Sequence, residues 1–200
     1  MRIFIVFALF FSTLVFSQKK KYKLDVVSNI DVKVIAMKPF GNNVLAKNLE
    51  PFYGFGFGGN LMTPINFGIG LDYNLLFSNA KLDQKNIYGN LGSPKLTIVD
   101  LYLTHRENIS EEFLVEEMAG FSYYNQSNLL IENNLKLKNA GMGFNLGAKA
   151  IYVLEGAQQV FVAGKFNYYS NNIYNENPEI QKYYSKSNFL SLSLGYRYQF

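Results

Sequence analysis

The sequence predicts an all-β chain: an eight-stranded antiparallel up-and-down transmembrane β-barrel, preceded by a cleavable signal peptide. Three observations predict it. Apolar and polar residues alternate with a period of two in eight separate segments. The connections between those segments alternate between short and long. Beyond Gln18 no apolar run approaches the ~18 residues of a membrane-spanning helix, so a mature chain that enters a bilayer must do so as a closed barrel, because lipid cannot satisfy an open sheet edge.

The first segment, 1–17, reads MRIFIVFALFFSTLVFS. Arg2 precedes an apolar run from Ile3 to Phe11 that resumes at Leu14 to Phe16, and Ser17 offers a small residue before polar Gln18 and Lys19. That order is the one of a secretory signal, cleaved near Ser17/Gln18. A membrane anchor would need a longer apolar core and would not be followed as well as preceded by positive charge. The expected organisation is therefore a signal over 1–17 and one barrel domain over 18–200. With no Cys in the chain, a disulfide framework, a thiolate metal site and a lipid-modified cysteine are all excluded. The formal charge of +4 owes much to Arg2 and Lys19–Lys21. The rest is nearly balanced and shows no clustered basic face, which argues against a nucleic-acid partner.

The strongest alternation lies at 65–78. Phe67, Ile69, Leu71, Tyr73, Leu75 and Phe77 share one face, Gly68, Gly70, Asp72 and Asn74 the other, and Leu76 breaks the pattern. Upstream, Tyr53, Phe55, Phe57 and Leu61 alternate with Gly54, Gly56, Gly58 and Asn60, and Thr63-Pro64 makes a tight hairpin between the two runs. The same reading gives strands at 141–152, with Phe144 and Leu146 apolar against Asn145 and Gly147, at 160–168, and at 190–200, with Leu190, Leu192 and Leu194 against Ser191, Ser193 and Gly195. Three segments are less regular: 24–36, 95–105 and 112–125. In the last, Glu116 and Glu117 place one acid on each face, and Phe113, Val115, Ala119, Phe121 and Tyr123 are taken as the outward set. Strands of about 11 to 15 residues exceed the ~9–11 that a tilted strand needs to cross hydrocarbon. Long polar connections are expected near 37–49, 79–93, 126–138 and 171–186, and short turns near 63–64, 107–111 and 155–157. Short turns on one side and long loops on the other are the asymmetry of outer-membrane barrels.

Parity alone does not say which face meets lipid. The glycines gather on the small polar face, which suits a narrow lumen with room for few large side chains. The apolar face is uniformly bulky, with aromatics near both strand ends, as in interfacial girdles. A soluble lipocalin-like binder would need an outer face of Gly, Ser and Asn rather than of charge. The outward, lipid-facing set is thus expected to include Phe55, Phe57, Phe67, Ile69, Leu71, Phe144, Leu146, Leu192 and Leu194. The inward face carries Asp25, Asp31, Lys33, Asp72, Asp100, Lys149, Lys165, Arg197 and one of Glu116 or Glu117. Charges in a narrow lumen are costly unless paired, so an ion-pair network that fills the barrel is expected. A gated conduit, with carboxylates exchanging cationic partners, is the functional alternative.

Other motifs carry less. Gly54–Gly59 spells G-x-G-x-x-G, but within an alternating strand and with Thr63-Pro64 following, where the dinucleotide fingerprint requires a helix. His105 is the sole histidine. It falls at the turn side, and Ser110 lies in a turn, so no nucleophile–base arrangement is evident. No metal cluster or phosphate loop is visible, and no cofactor is expected.

Taken together, residues 22–200 resemble the small eight-stranded outer-membrane barrels of the OmpX and OmpA-transmembrane-domain type found in Gram-negative envelopes. The most specific element is Leu194-Gly195-Tyr196-Arg197-Tyr198-Gln199-Phe200. The resemblance implies that Tyr196, Tyr198 and Phe200 act as an assembly signal read by the barrel-assembly machinery. It also implies an outer-membrane location amid lipid and lipopolysaccharide. No peptidoglycan-binding domain follows, unlike full-length OmpA-type proteins. The expected role is non-enzymatic: structural, adhesive, or binding an unidentified external partner at the loops, of which the last carries Tyr174, Tyr183 and Tyr184. A small-solute channel and a lipid-modifying enzyme are the alternatives.

Overall fold

The computed structural model describes residues 26–82, 93–130, 135–174 and 176–200, with the side chains of 128–130 and 135–137 outside that description. The expected signal segment, Lys19–Lys21, Asp25 and part of the 79–93 connection therefore lie outside the described residues. The rest forms a closed barrel in which each strand pairs antiparallel with its sequence neighbours and the last returns to the first. The strands are β1 (Val27–Phe40), β2 (Phe52–Met62), β3 (Phe67–Phe77), β4 (Lys95–Asn108), β5 (Phe113–Leu130), β6 (Leu135–Val153), β7 (Gln158–Asn171) and β8 (Lys186–Gln199). Two short helices, α1 (Val44–Asn48) and α2 (Pro178–Ser185), sit in the first and last long connections. Closure leaves no unpaired edge: β1 and β8 join from Asn29↔Gln199 to Phe40↔Asn188.

The turns are built where the sequence supplies turn chemistry. Between β2 and β3, the Thr63 N–H and hydroxyl both donate to the Phe67 carbonyl, at 2.8 and 2.6 Å. Asn66 takes φ 64°, a left-handed conformation that Asn tolerates. Between β6 and β7, Gly156 takes φ 60°. In the third, the Phe113 N–H donates to the Ser110 hydroxyl oxygen at 3.0 Å. The three turns, Val27 and Gln199 all fall at one end of the barrel, and the long connections at the other.

Several strands run further than the alternation alone marks. β1 continues to Phe40, and β5 and β6 extend into 126–138, where a long loop was expected. The β5–β6 ladder persists to Leu130↔Leu135, past the last pairing of β5 with β4 at Lys95↔Ser127 and of β6 with β7 at Gly141↔Asn171. The first and last long connections carry helix: Asn43 caps α1 by accepting from the Ala46 N–H at 2.9 Å, and Asn177 caps α2 by accepting from the Glu179 N–H at 2.9 Å.

The interior also corrects an expectation. It is not a lining of glycine, serine and ions alone. Near the loop side, Ile35, Met37, Phe52, Leu76, Leu96, Ile98, Tyr124, Tyr169 and Phe189 form an apolar cluster, and Leu45 and Leu49, at and just after α1, drop into it. Near the turn side, Tyr102, Leu114, Met118, Ile151, Phe161 and Ala163 form a second one. Leu76, the break in the 65–78 pattern, is inward and fully buried for this reason. Large side chains fit because their cross-strand neighbours are glycines. The Tyr102 ring lies where a Cβ on Gly70 would sit, and the Phe161 ring occupies the same place over Gly195.

Gly70→Val is therefore expected to destabilise the barrel by about 1–3 kcal/mol through overpacking. Adding Tyr102→Ala should recover part of that loss, as read by urea unfolding of the protein in lipid or detergent.

Candidate functional site

Strand parity places two kinds of site on this cylinder: a charged interior and an apolar exterior. The interior charges lie below the loop-side apolar cluster and interleave with the turn-side one, Glu116 standing between Leu114 and Met118 along β5 and Arg106 on the turn side of Tyr102 along β4. Arg197 on β8 is wholly buried and holds two carboxylates at once. Its Nε and Nη2 donate to Asp31 of β1 at 2.6 and 3.1 Å, and its Nη1 and Nη2 to Glu116 of β5 at 2.7 and 3.0 Å. Such bidentate contacts are the geometry to which a planar guanidinium is suited. Lys149 of β6 donates to Asp31 at 2.5 Å and lies over the Phe161 ring at 4.5 Å. Arg106 of β4 donates from Nε and Nη2 to Glu116 at 3.0 and 2.7 Å.

A second group stands on the loop side of the first. Asp72 of β3 and Asp100 of β4 are direct cross-strand partners, a like-charge pairing that is unfavourable by itself. Lys165 reaches them from β7, donating to Asp72 at 3.0 Å and Asp100 at 3.1 Å. Lys33 of β1 bonds Asp72 as well. Ser122 donates to Asp100 at 2.6 Å and receives the Asn145 amide at 2.8 Å, while the Tyr102 hydroxyl donates to Asp72 at 3.3 Å. A space of about 20 Å³, lined by Lys33, Asn74, Leu76, Asp100 and Lys165 among others, separates this group from the upper apolar cluster. That is room for about one water.

Of the inward residues read from the sequence, Asp31, Lys33, Asp72, Asp100, Lys149, Lys165 and Arg197 lie in the lumen, and Asp25 lies outside the described residues. The open choice on β5 resolves as Glu116 inward and Glu117 outward. Arg106 is a member that sequence reasoning missed. The turn expected at 107–111 hid it, although it shares parity with Asp100, Tyr102 and Thr104. His105, of opposite parity, faces outward at the turn side, 3.6 Å from Glu117 and against the Phe67 ring at 4.6 Å. Ser110 caps the neighbouring turn, so the two form no catalytic pair. Among the described residues no cluster of His, Asp and Glu has the makings of a metal site.

The exterior is a continuous apolar belt. Phe55, Phe57, Phe67, Ile69, Leu71, Phe144, Leu146, Leu192 and Leu194 all point outward and are exposed, and Phe121 is 76% exposed. Between His105 and Glu117 below and Lys38 and Lys95 above, outward positions of the described strands carry no charge. Aromatics run from the middle of the belt to its turn-side border. Phe57 stacks on Tyr73 and Phe144 on Tyr168, each at 5.2 Å. At the turn side, Tyr196 and Tyr198 face outward, Tyr198 meets Phe200 edge-on at 4.9 Å, and the Phe200 N–H donates to the Ser28 carbonyl at 2.8 Å. Exposed hydrocarbon on this scale is far beyond the few hundred Å² of a soluble monomer's largest patch. Above the mouth, α2 presents Tyr183 and Tyr184 in perpendicular contact at 5.1 Å, and Tyr174 is 82% exposed.

A closed up-and-down cylinder of eight strands, apolar outside and ionic within, defines a transmembrane β-barrel of the outer-membrane class. Solved structures of that class share the fold. Neisserial surface protein A superposes with a TM-score of 0.59 at 13% identity, covering 88% of this chain and 97% of that one. The attachment invasion locus protein Ail of Yersinia pestis gives 0.56 at 8% identity, covering 87% and 98%. The outer membrane protein OprG of Pseudomonas aeruginosa gives 0.57 at 14% identity, covering 88% and 97%. No protein-family model and no curated protein matches the sequence.

Arg197→Met removes the cation shared by Asp31 and Glu116 and leaves the two buried carboxylates without their bidentate partner, with only Lys149 still bonded to Asp31 and Arg106 to Glu116. The expected cost is about 3–5 kcal/mol, seen as a lowered urea midpoint of the barrel in lipid. The same change at outward Lys38 should move it by less than about 0.5 kcal/mol.

Proposed function

We propose that the mature chain, from about Gln18 onward, is an integral outer-membrane protein with a filled interior, acting without catalysis as an envelope component that displays its loops to the outside. The observation that carries this reading is the combination of belt and plug. An uncharged apolar band encircles the barrel, and every described charge inside it is paired with an opposite one. The band stabilises the protein only in a hydrocarbon surrounding. The plug leaves the surface and the loops as the parts able to meet other molecules.

Conduction is disfavoured by the same geometry. A solute would have to pass α1 with Leu45, the upper apolar cluster, the Asp72–Asp100–Lys165 group, and then Arg197. Each ion pair it displaced would leave a charge uncompensated in low dielectric. Lipid-modifying catalysis is disfavoured by the place of His105, at the turn side with Glu117 and no nucleophile positioned beside it. The display surface is the loop end, where Tyr174, Tyr183 and Tyr184 offer aromatic contact area. Barrel-assembly machinery is the proposed partner during biogenesis, through Tyr196, Tyr198 and Phe200.

Two measurements test this. The protein should fractionate with the outer membrane and migrate faster on gels unboiled than boiled; recovery in the soluble fraction would overturn the reading. In planar bilayers the folded protein should show no large, stable open state. A sustained ohmic conductance would replace the plug with a conduit.

A further inference from the structure

The apolar belt is not bordered symmetrically. On β4 and β5 the outward positions at the turn side are His105, Glu107 and Glu117, whereas on β4 and β6 those at the loop side are Lys95 and Lys138. The ladders of β4, β5 and β6 align these residues in rows. The lowest of four rows is Leu101, Phe121 and Phe144; the next is Val99, Tyr123 and Met142; then come Thr97, Asn125 and Ala140; and the top row is Lys95, Ser127 and Lys138. Hydrocarbon gives way to small polar groups and then to two cations flanking a hydroxyl. With strands ~4.8 Å apart, the two lysine Cα atoms stand roughly 10 Å from each other. Their flexible stems can converge on one anion above Ser127. Among the described residues neither lysine has a carboxylate partner. Below them Val99, Leu101, Phe121, Tyr123 and Met142 line an external groove of about 380 Å³.

The geometry points to a binding site for one phosphate-bearing lipid of the leaflet on the loop side, its phosphate held by Lys95, Ser127 and Lys138 and an acyl chain lying in the groove beneath. The inference rests on the membrane orientation given above and adds to it a particular lipid class and position. Charge complementarity selects the occupant. A zwitterionic lipid would bring its own cation to a place already doubly positive, whereas a phosphate monoester replaces the missing counter-charge. A second protein would have to bury both lysines, which interface cores disfavour. The row of Thr97, Asn125 and Ala140 spans the level at which a lipid's glycerol or sugar would sit. It offers hydrogen bonds there without charge.

The test uses the folded full-length mature protein in phosphatidylcholine nanodiscs doped with lipid A, or with lipid A stripped of its phosphates, and counts retained lipid by native mass spectrometry. Wild-type protein should retain the phosphorylated form roughly 10- to 30-fold more strongly than the stripped form, a comparison that needs no variant. Lys95→Gln with Lys138→Gln should abolish that preference, Lys95→Arg with Lys138→Arg should keep it, and Lys47→Gln, in α1, should leave it unchanged. Equal retention of the two lipids, or a preference that survives the double glutamine change, overturns the site while leaving the barrel reading intact. Failure of the wild-type protein to insert into the nanodisc at all overturns both.

Discussion

The structure depends on one cation. Arg197 joins β8 to β1 through Asp31 and to β5 through Glu116, so a single guanidinium links the seam of the barrel to the wall beyond the lumen. Strand number and the stagger of hydrogen bonds between neighbouring strands set how widely the sheet closes. Contacts across the lumen fill that width and tie its walls together. Lys149 and Arg106 add second donors to oxygens that Arg197 already holds, Asp31 Oδ2 and Glu116 Oε1, and Phe161 lies close to both Lys149 and Arg197. The buried carboxylates accept this arrangement because each of their charges is met at hydrogen-bonding distance, where an unpaired one would be strongly unfavourable.

What surrounds this network explains why the interior is closed. The apolar cluster above the ions and the second one set among them exclude water, and α1 completes the upper one by lowering Leu45 into the mouth. The apolar outer surface then faces a medium in which it has no cost. Inside and outside are thus two answers to one scarcity of water: charges pair where solvent is absent, and hydrocarbon covers the surface where solvent is absent too.

Much of the fold is legible in the sequence because a strand's two faces are separated by a period of two. The run from Phe67 to Phe77 and the run from Leu190 to Phe200 could be read from spelling alone. What parity does not contain is distance across the lumen. It directs Asp72 and Lys165 inward from segments 93 positions apart, yet nothing local says that they meet, since the tilt and stagger of all eight strands decide that. Register between adjacent strands, which parity also lacks, hid the aromatic filling. Tyr102 and Phe161 sit at inward positions that looked too narrow, and only the facing Gly70 and Gly195 make the room. Arg106 was lost to a misplaced strand end, and the extra length of β5 and β6 to polar residues that read as loop.

The pairing of Asp72 with Asp100 bears on how such a barrel comes into being. β3 and β4 are sequence neighbours joined in antiparallel register, and in a growing chain they would be among the first strands able to zip together. Two carboxylates facing each other oppose that zipping until ammonium groups meet them, Lys33 of β1 on Asp72 and Lys165 of β7 on both. A lone β3–β4 hairpin is thereby penalised. The brake on it is released where strands from both ends of the chain bring their cations to one place.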